Sequence, residues 1–283
     1  MKVAIIGTGL MGKGLAQIFA QCSEVTAVEW IGRSQEKLSE SMKALSLLWQ
    51  KLITKGKTTE DDVRTYKDKI ILLTELNEIC DTDLVIEAVQ ECLSTKKAVF
   101  RKISGHIKAN TIVATNSSSL SITELARSIE YPENVVGMHF FNPPAIMKLV
   151  EVVVGFQTSE QTICRAKEIS SMLGKQPILV KEAPGFIVNR MLIPMINEAV
   201  GILAENVAQA DEIDKAMTLG ANHPIGPLAL ADLIGNDIVL AIMETLREET
   251  GDPKYRAHPL LRKMVRAQHL GRKTGQGFFT YPE

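Results

Sequence analysis

A chain of 283 residues, 45% of them hydrophobic, has apolar material for one large domain or two ordinary ones, and a formal net charge of -1 with no basic run interleaved with aromatics argues against a nucleic-acid partner. No stretch reaches the apolar length of a membrane span, and the early glycine-rich run is not a signal peptide. Four scattered cysteines (Cys22, Cys80, Cys92 and Cys164) read as reduced thiols with no metal site, so a cytoplasmic protein is expected.

The first run, KVAIIG, is short, apolar and ends in glycine, as a buried parallel strand does. Gly7-Thr8-Gly9-Leu10-Met11-Gly12 follows and opens the helical pattern LMGKGLAQIFAQC. This is G-x-G-x-x-G between a strand and a helix. Gly7 permits the tight turn, Gly9 lets backbone approach a pyrophosphate, and Gly12 lets helix and strand pack closely. With Leu10 and Met11 they make a candidate dinucleotide-binding loop. The next strand, VTAV, ends naturally at Glu29. A carboxylate there would bond the ribose hydroxyls of NAD and repel the extra phosphate of NADP, so NAD is expected. Gly32-Arg33-Ser34 is the rival strand end, and an arginine there accommodates that phosphate.

Residues from about Ser34 to Lys55 predict a long amphipathic helix with Leu38, Met42, Leu45, Leu48, Trp49 and Leu52 near one face. DLVIEAV (83–89) and TIVATN (111–116) read as strands with a helix between them. The second of these ends in Asn116, followed by Ser117, Ser118 and Ser119, and such polar groups face the ligand crevice of a parallel sheet. Ser121 and Glu124 fit a capping box and read as structural. Asn116 and Ser118 have no such role and are candidate ligand contacts.

NVVGMHFF and KLVEVVVG flank a Pro-Pro loop. Antiparallel pairing of these runs would bring His139 and Glu151 together. A carboxylate among apolar neighbours needs a partner. Here it would fix the imidazole tautomer and favour its protonated form, the arrangement of a general base with its orienter. A structural ion pair is the plainer reading. A helix from about Glu160 to Leu173 and the run QPILV complete a doubly wound, Rossmann-type α/β sheet.

The pattern changes at Ala183-Pro184-Gly185, which predicts a dinucleotide-binding domain over 1–183 and a smaller all-helical domain over 184–283. The helix from about Phe186 to Glu205 is apolar on nearly all sides, which predicts a homodimer through this domain. Asn189, early on that helix, is either a satisfied core amide or a substrate contact.

GTGLMG, NSSSL, HFFNPP, KLVEVV, APGFIVNR and GRKTGQGFF together span essentially the whole chain. In these motifs the chain resembles the L-3-hydroxyacyl-CoA dehydrogenase family. MLIPMINEAVGILAE and LGANHPIGPLAL resemble its short, single-activity bacterial members. The resemblance implies hydride transfer between a nicotinamide cofactor, NAD with NADP as the alternative, and a short-chain 3-hydroxyacyl-CoA. It implies His139 as general base with Glu151 as partner, and Ser118 and Asn189 bonding the substrate's 3-oxygen and neighbouring groups. Asn142 would shape the site, Glu91 and Lys96 would meet the nicotinamide half of the cofactor, and Lys55 would lie near the CoA phosphates. Ser117 replaces the family's usual threonine. Two other functions suit this fold: a non-catalytic dinucleotide-binding structural protein, and a dehydrogenase of free 3-hydroxyacids. Loss of His139 or Glu151 would mark the first, and a catalytic lysine in the helical domain the second. This chain keeps the His/Glu pair.

Overall fold

The structure, a computed structural model, describes residues 1–79 and 81–282, so the expectation for Cys80 lies outside the described residues. Cys22, Cys92 and Cys164 are free thiols. The chain divides into two compact units, Met1–Glu182 and Ala183–Glu283.

The first unit is built on eight strands: β1 (Lys2–Ile6), β2 (Ala27–Ile31), β3 (Ile70–Leu73), β4 (Leu84–Glu87), β5 (Ile112–Thr115), β6 (Val135–Phe140), β7 (Leu149–Val154) and β8 (Gln176–Lys181). They lie in the order β3-β2-β1-β4-β5-β6-β7-β8. Neighbours are parallel except β6 and β7, which are antiparallel. The connecting helices are α1 (Leu10–Gln21), α2 (Gln35–Thr54), α3 (Glu60–Asp68), α4 (Leu93–Ser104), α5 (Ile122–Ala126) and α6 (Glu160–Met172). Every residue of β4, β5 and β6 is buried, as in a sheet covered on both faces. The edge strand β8 leaves Ile178 and Leu179 exposed.

Three local differences from the sequence reading matter. The second strand starts at Ala27 and runs two residues past Glu29. Its extension holds because Gly7 N–H donates to Ile31 O and Gly32 N–H to Leu73 O. The helix α3 and strand β3 were not anticipated. Their signal is Thr59-x-x-Asp62, where each side chain accepts from the other's backbone N–H, followed by the apolar run IILL. On α2, Leu38, Leu45 and Trp49 are buried, whereas Leu48 is turned outward.

The strand order reverses between β1 and β4, and the crevice at their C-terminal ends is where such sheets take ligands. Gly7 sits there with φ +127°, and a Cβ on it would lie 2.5 Å from Ala88 O. A Cβ on Gly12 would lie 2.0 Å from Gly7 O, so α1 presses directly on the turn.

The second unit holds α7 (Val188–Ala204), α8 (Ala210–Gly220), α9 (Pro227–Ile234), α10 (Asn236–Thr250) and α11 (Pro259–Arg266). Its core includes Ile193, Ile196, Val200, Leu228, Met243, Leu246 and Leu261. Asp214 accepts from Leu228 N and Ala229 N at the start of α9, and burial pushes its carboxyl up. Asp232, 1% exposed, accepts from Phe278 N, Phe279 N and the Tyr281 hydroxyl, which fastens the GRKTGQGFF segment to α9. Among the described residues no helix is long and apolar enough to cross a membrane.

Gly12→Ala should push the glycine turn away from α1. Overpacking of this kind costs about 1–3 kcal/mol, so thermal unfolding should show a lowered Tm and calorimetry a weakened dinucleotide. An unchanged Tm with unchanged binding would contradict the packing described.

Candidate active site

The strands β6 and β7 place His139 directly opposite Glu151. Opposed residues of an antiparallel pair project to the same face. Here Nδ1 of His139 lies 2.7 Å from Oε2 of Glu151, and the two residues are 6% and 1% exposed. The carboxylate can only accept, so Nδ1 carries the hydrogen and the neutral ring keeps its lone pair on Nε2. The Phe141 ring tilts against the imidazole at a centroid separation of 4.5 Å. Asn116, at the end of β5, accepts at Oδ1 from Phe140 N–H at 2.9 Å. That bond ties the strand end beside His139 to the end of β5.

Next to this pair lies a network that the sequence only hinted at. Glu91 Oε1 accepts from the Ser117 hydroxyl at 2.6 Å, Ser118 N–H at 2.8 Å and Ser119 N–H at 3.2 Å. Its other oxygen meets Lys96 Nζ at 3.2 Å. The same ammonium donates to both oxygens of Glu87, at 2.8 and 2.9 Å. Glu87 in turn accepts from Val89 N–H at 2.6 Å and the Thr115 hydroxyl at 2.7 Å. Burial pushes the Glu91 carboxyl up, but Lys96 and the hydrogen bonds from Ser117 and Ser118 outweigh it and hold the group below its ordinary range. Lys96, 1% exposed, spends its donors on protein carboxylates. Glu91 and Lys96 therefore hold the serine turn and the ends of β4 and β5 in register. Glu91 is bonded through both N–H and hydroxyl by half-buried Ser118, at 2.8 and 3.2 Å, and by buried Ser119, at 3.2 and 3.5 Å. Ser121 does cap α5, accepting from Glu124 N–H, while the Glu124 carboxylate goes to Lys97.

Asn142 is exposed in the loop between β6 and β7. That loop is held by Lys175, a residue sequence reasoning passed over, whose ammonium donates to Pro144 O and, at 3.0 Å, to Met147 O. Burial pulls the Lys175 ammonium below its ordinary range. Asn189 is buried in the first turn of α7, in the helical unit. Lys55 is the exposed C-cap of α2. It lies about 20 Å along the helix from Ser41, the α2 residue that donates to Thr8 O in the glycine loop. The structure does not bring Lys55 to the other candidate residues.

The glycine loop has a second support that was not foreseen: the Trp30 indole N–H donates to Gly7 O at 2.8 Å. The available signal was a tryptophan in the second strand, where an indole N–H needs a buried acceptor. A Cβ on Gly9 would meet nothing within 4 Å, and no side chain caps α1. Open space in front of uncapped N–H groups at a helix N-terminus fits a pyrophosphate. Leu10 is exposed and Met11 half-buried at the same turn.

The expectation for Glu29 is corrected. Its carboxylate is 3% exposed, 2.7 Å from Lys2 Nζ and 3.1 Å from the Thr82 hydroxyl. Lys2 begins β1 and Thr82 precedes β4, so the group points to the N-terminal edge of the sheet, away from the glycine loop. The residues that follow the true strand end are Gly32, exposed Arg33 and Ser34.

Residues 2–183 match the model of the 3-hydroxyacyl-CoA dehydrogenase NAD-binding domain, and residues 185–281 match that of the same family's C-terminal domain. The chain belongs to the 3-hydroxyacyl-CoA dehydrogenase family. It is an NAD-dependent oxidoreductase of that family, with the glycine loop in the NAD-binding part. A Clostridioides difficile relative, 3-hydroxybutyryl-CoA dehydrogenase, is 51% identical over 281 residues, covering 99% of each chain. A human relative, mitochondrial hydroxyacyl-coenzyme A dehydrogenase, is 35% identical over 286 residues, 99% of this chain and 90% of that one. The crystal structure of (S)-3-hydroxybutyryl-CoA dehydrogenase from Ralstonia eutropha superposes with a TM-score of 0.95 at 45% identity, covering 100% of this chain and 99% of that one.

Cys92 stands at the N-cap of α4, its sulfur 3.2 Å from the Ser94 hydroxyl. Hydrogen bonds from Ser94 and from Thr95 draw its thiol down to about 7, whereas burial pushes Cys22 up. Iodoacetamide labelling read by mass spectrometry should therefore rise at Cys92 with a midpoint of about 7, while Cys22 lags. A Cys92 midpoint in the ordinary thiol range would contradict these hydrogen bonds.

Proposed function

We propose that this chain interconverts (S)-3-hydroxybutyryl-CoA and acetoacetyl-CoA. The observation that carries the proposal is the buried pair of His139 and Glu151, joined at 2.7 Å across β6 and β7. The relatives of highest similarity named above act on this substrate, which supports the choice of chain length. Bound NAD supplies the hydride acceptor at nicotinamide C4. His139 takes the proton of the 3-hydroxyl on Nε2 as that group becomes a carbonyl, and returns it in reduction. Glu151 holds the ring through Nδ1 and stabilises the positive charge that forms on it. The serine turn held by Glu91 offers Ser118 to the 3-oxygen, and Asn116 and Asn142 supply further amide groups for cofactor and substrate.

Glu151→Gln keeps shape and most hydrogen bonding while removing the charge. Acetoacetyl-CoA reduction should lose about 10²–10⁴ in kcat, with NADH affinity nearly unchanged. His139→Ala should lose at least as much, and the double variant little more, because residues that act as a unit are non-additive. A folded Glu151→Gln protein with wild-type turnover across the pH range would make Glu151 structural and overturn the mechanism.

The helical unit supports a second part of the proposal, a homodimer. Met191 on α7 is 72% exposed, Leu219 76% and Val207 70%, and Ile187, Leu233 and Ile238 are about half-exposed. Exposed apolar side chains that meet on one face mark a protein contact, and this unit has six large ones to contribute. Sedimentation at micromolar concentration should give a dimer, and Met191→Lys should shift it towards monomer. A wild-type monomer would end the dimer proposal and leave the chemistry untouched.

A further inference from the structure

The turn that follows β2, Gly32-Arg33-Ser34, carries no carboxylate. In a sheet of this kind the end of the second strand lies beside the glycine loop and meets the adenosine ribose of the dinucleotide. The bond from Gly7 N–H to Ile31 O, at 2.9 Å, sets that proximity here. A carboxylate at this place bonds the 2′-hydroxyl and repels a 2′-phosphate. This chain has none. Glu29, the carboxylate of β2, lies three residues before Gly32, about 10 Å back along the strand. It is also committed to Lys2 and Thr82 at the opposite edge.

Gly32 itself leaves no room for an acid. A Cβ there would lie 2.6 Å from Thr8 Cγ2 and 2.8 Å from Leu38 Cγ. The backbone of this turn is thus packed against the glycine loop on one side and α2 on the other. The first side chain able to reach the ribose is Arg33. It is exposed and makes no ion pair with any described residue. Ser34 follows, its oxygen accepting from Lys37 N–H at 3.3 Å, so its hydroxyl hydrogen is available to an acceptor. Lys37 is exposed one turn into α2. Glu36, also exposed in that turn, is the opposing charge, and the group as a whole remains positive.

We propose that Gly32-Arg33-Ser34 forms a subsite for the 2′-phosphate of NADP(H), read by the Arg33 guanidinium, so that the domain accepts the phosphorylated dinucleotide at least as well as the plain one. The proposal rests on the reading that the glycine loop holds a nicotinamide dinucleotide. A guanidinium matches phosphate geometry with two parallel N–H donors, and charge-assisted bonds of this kind are stronger than neutral ones. Arg33 is then the residue that sets cofactor specificity, in a place where the sequence pointed first to Glu29.

Titration calorimetry on the whole protein tests this without turnover, with NADH, NADPH, 5′-AMP and 2′,5′-ADP as probes. NADPH should bind no more weakly than NADH, and 2′,5′-ADP should bind about tenfold or more tighter than 5′-AMP. Arg33→Ala should move the NADPH to NADH ratio of Kd by about tenfold towards NADH, and Arg33→Lys, which keeps charge but not the planar fork, should fall between. NADH binding with NADPH rejected, or a ratio that Arg33→Ala leaves unmoved, would overturn the subsite. Binding of neither dinucleotide would overturn both this inference and the proposed function. The expected ratios in a protein that fails to reduce acetoacetyl-CoA would remove the substrate reading and support the subsite.

Discussion

A carboxylate removed from water must find a cation or a set of N–H and O–H donors, or its burial costs more than folding can supply. Among the described residues five buried acids organise the chain: Glu29, Glu87, Glu151, Asp214 and Asp232. They solve the problem in three ways. Glu29 takes Lys2 and closes the N-terminal edge of the sheet. Glu87 takes Lys96 and gathers the ends of β4 and β5. Glu151 takes the His139 imidazole, at 2.7 Å across two antiparallel strands. Asp214 and Asp232 take backbone N–H groups and shape the helical unit.

The network around Glu91 shows how one acid prepares a site without entering the reaction. Its Oε1 gathers the N–H groups of Ser118 and Ser119 and the hydroxyl of Ser117. The turn after β5 is consequently set from the β4 side. Lys96 links that turn to Glu87, and so to the strand next to the glycine loop. The dinucleotide crevice and the serine turn share a rigid wall, which suits a hydride transfer that demands fixed alignment of donor and acceptor.

How legible the molecule was in its sequence depended on whether the constraint was local. Gly7 and Gly12 were readable because the steric demand on each comes from a few neighbouring residues. His139 and Glu151 were readable because period-two side chains on two strands joined by a turn must face each other, and a buried acid needs a partner. The end of β2 was not readable. The apolar run VTAV suggested a stop at Glu29, but the strand is extended by Gly32 bonding to β3 and by Trp30 reaching the glycine turn, both long-range. That error propagated, since the residues placed beside the glycine loop moved with it. The α3–β3 segment was missed because its helix is short and polar and its strand has only four residues. Lys175 escaped as a support of the loop between β6 and β7 because nothing in sequence separates a buried lysine from a solvated one.

The sheet order also sets a length. Gly7 follows β1 and His139 lies near the end of β6, three strands away in the order β1-β4-β5-β6. Strand spacing makes that separation about 14 Å across the sheet. The distance between the glycine loop and His139 is thus counted in whole strands. Backbone hydrogen bonding sets every interval, so substitutions in the core leave it nearly unchanged. The loops at the strand ends, such as the one after β2, lie outside this ladder and can vary while the ruler beneath them stays the same.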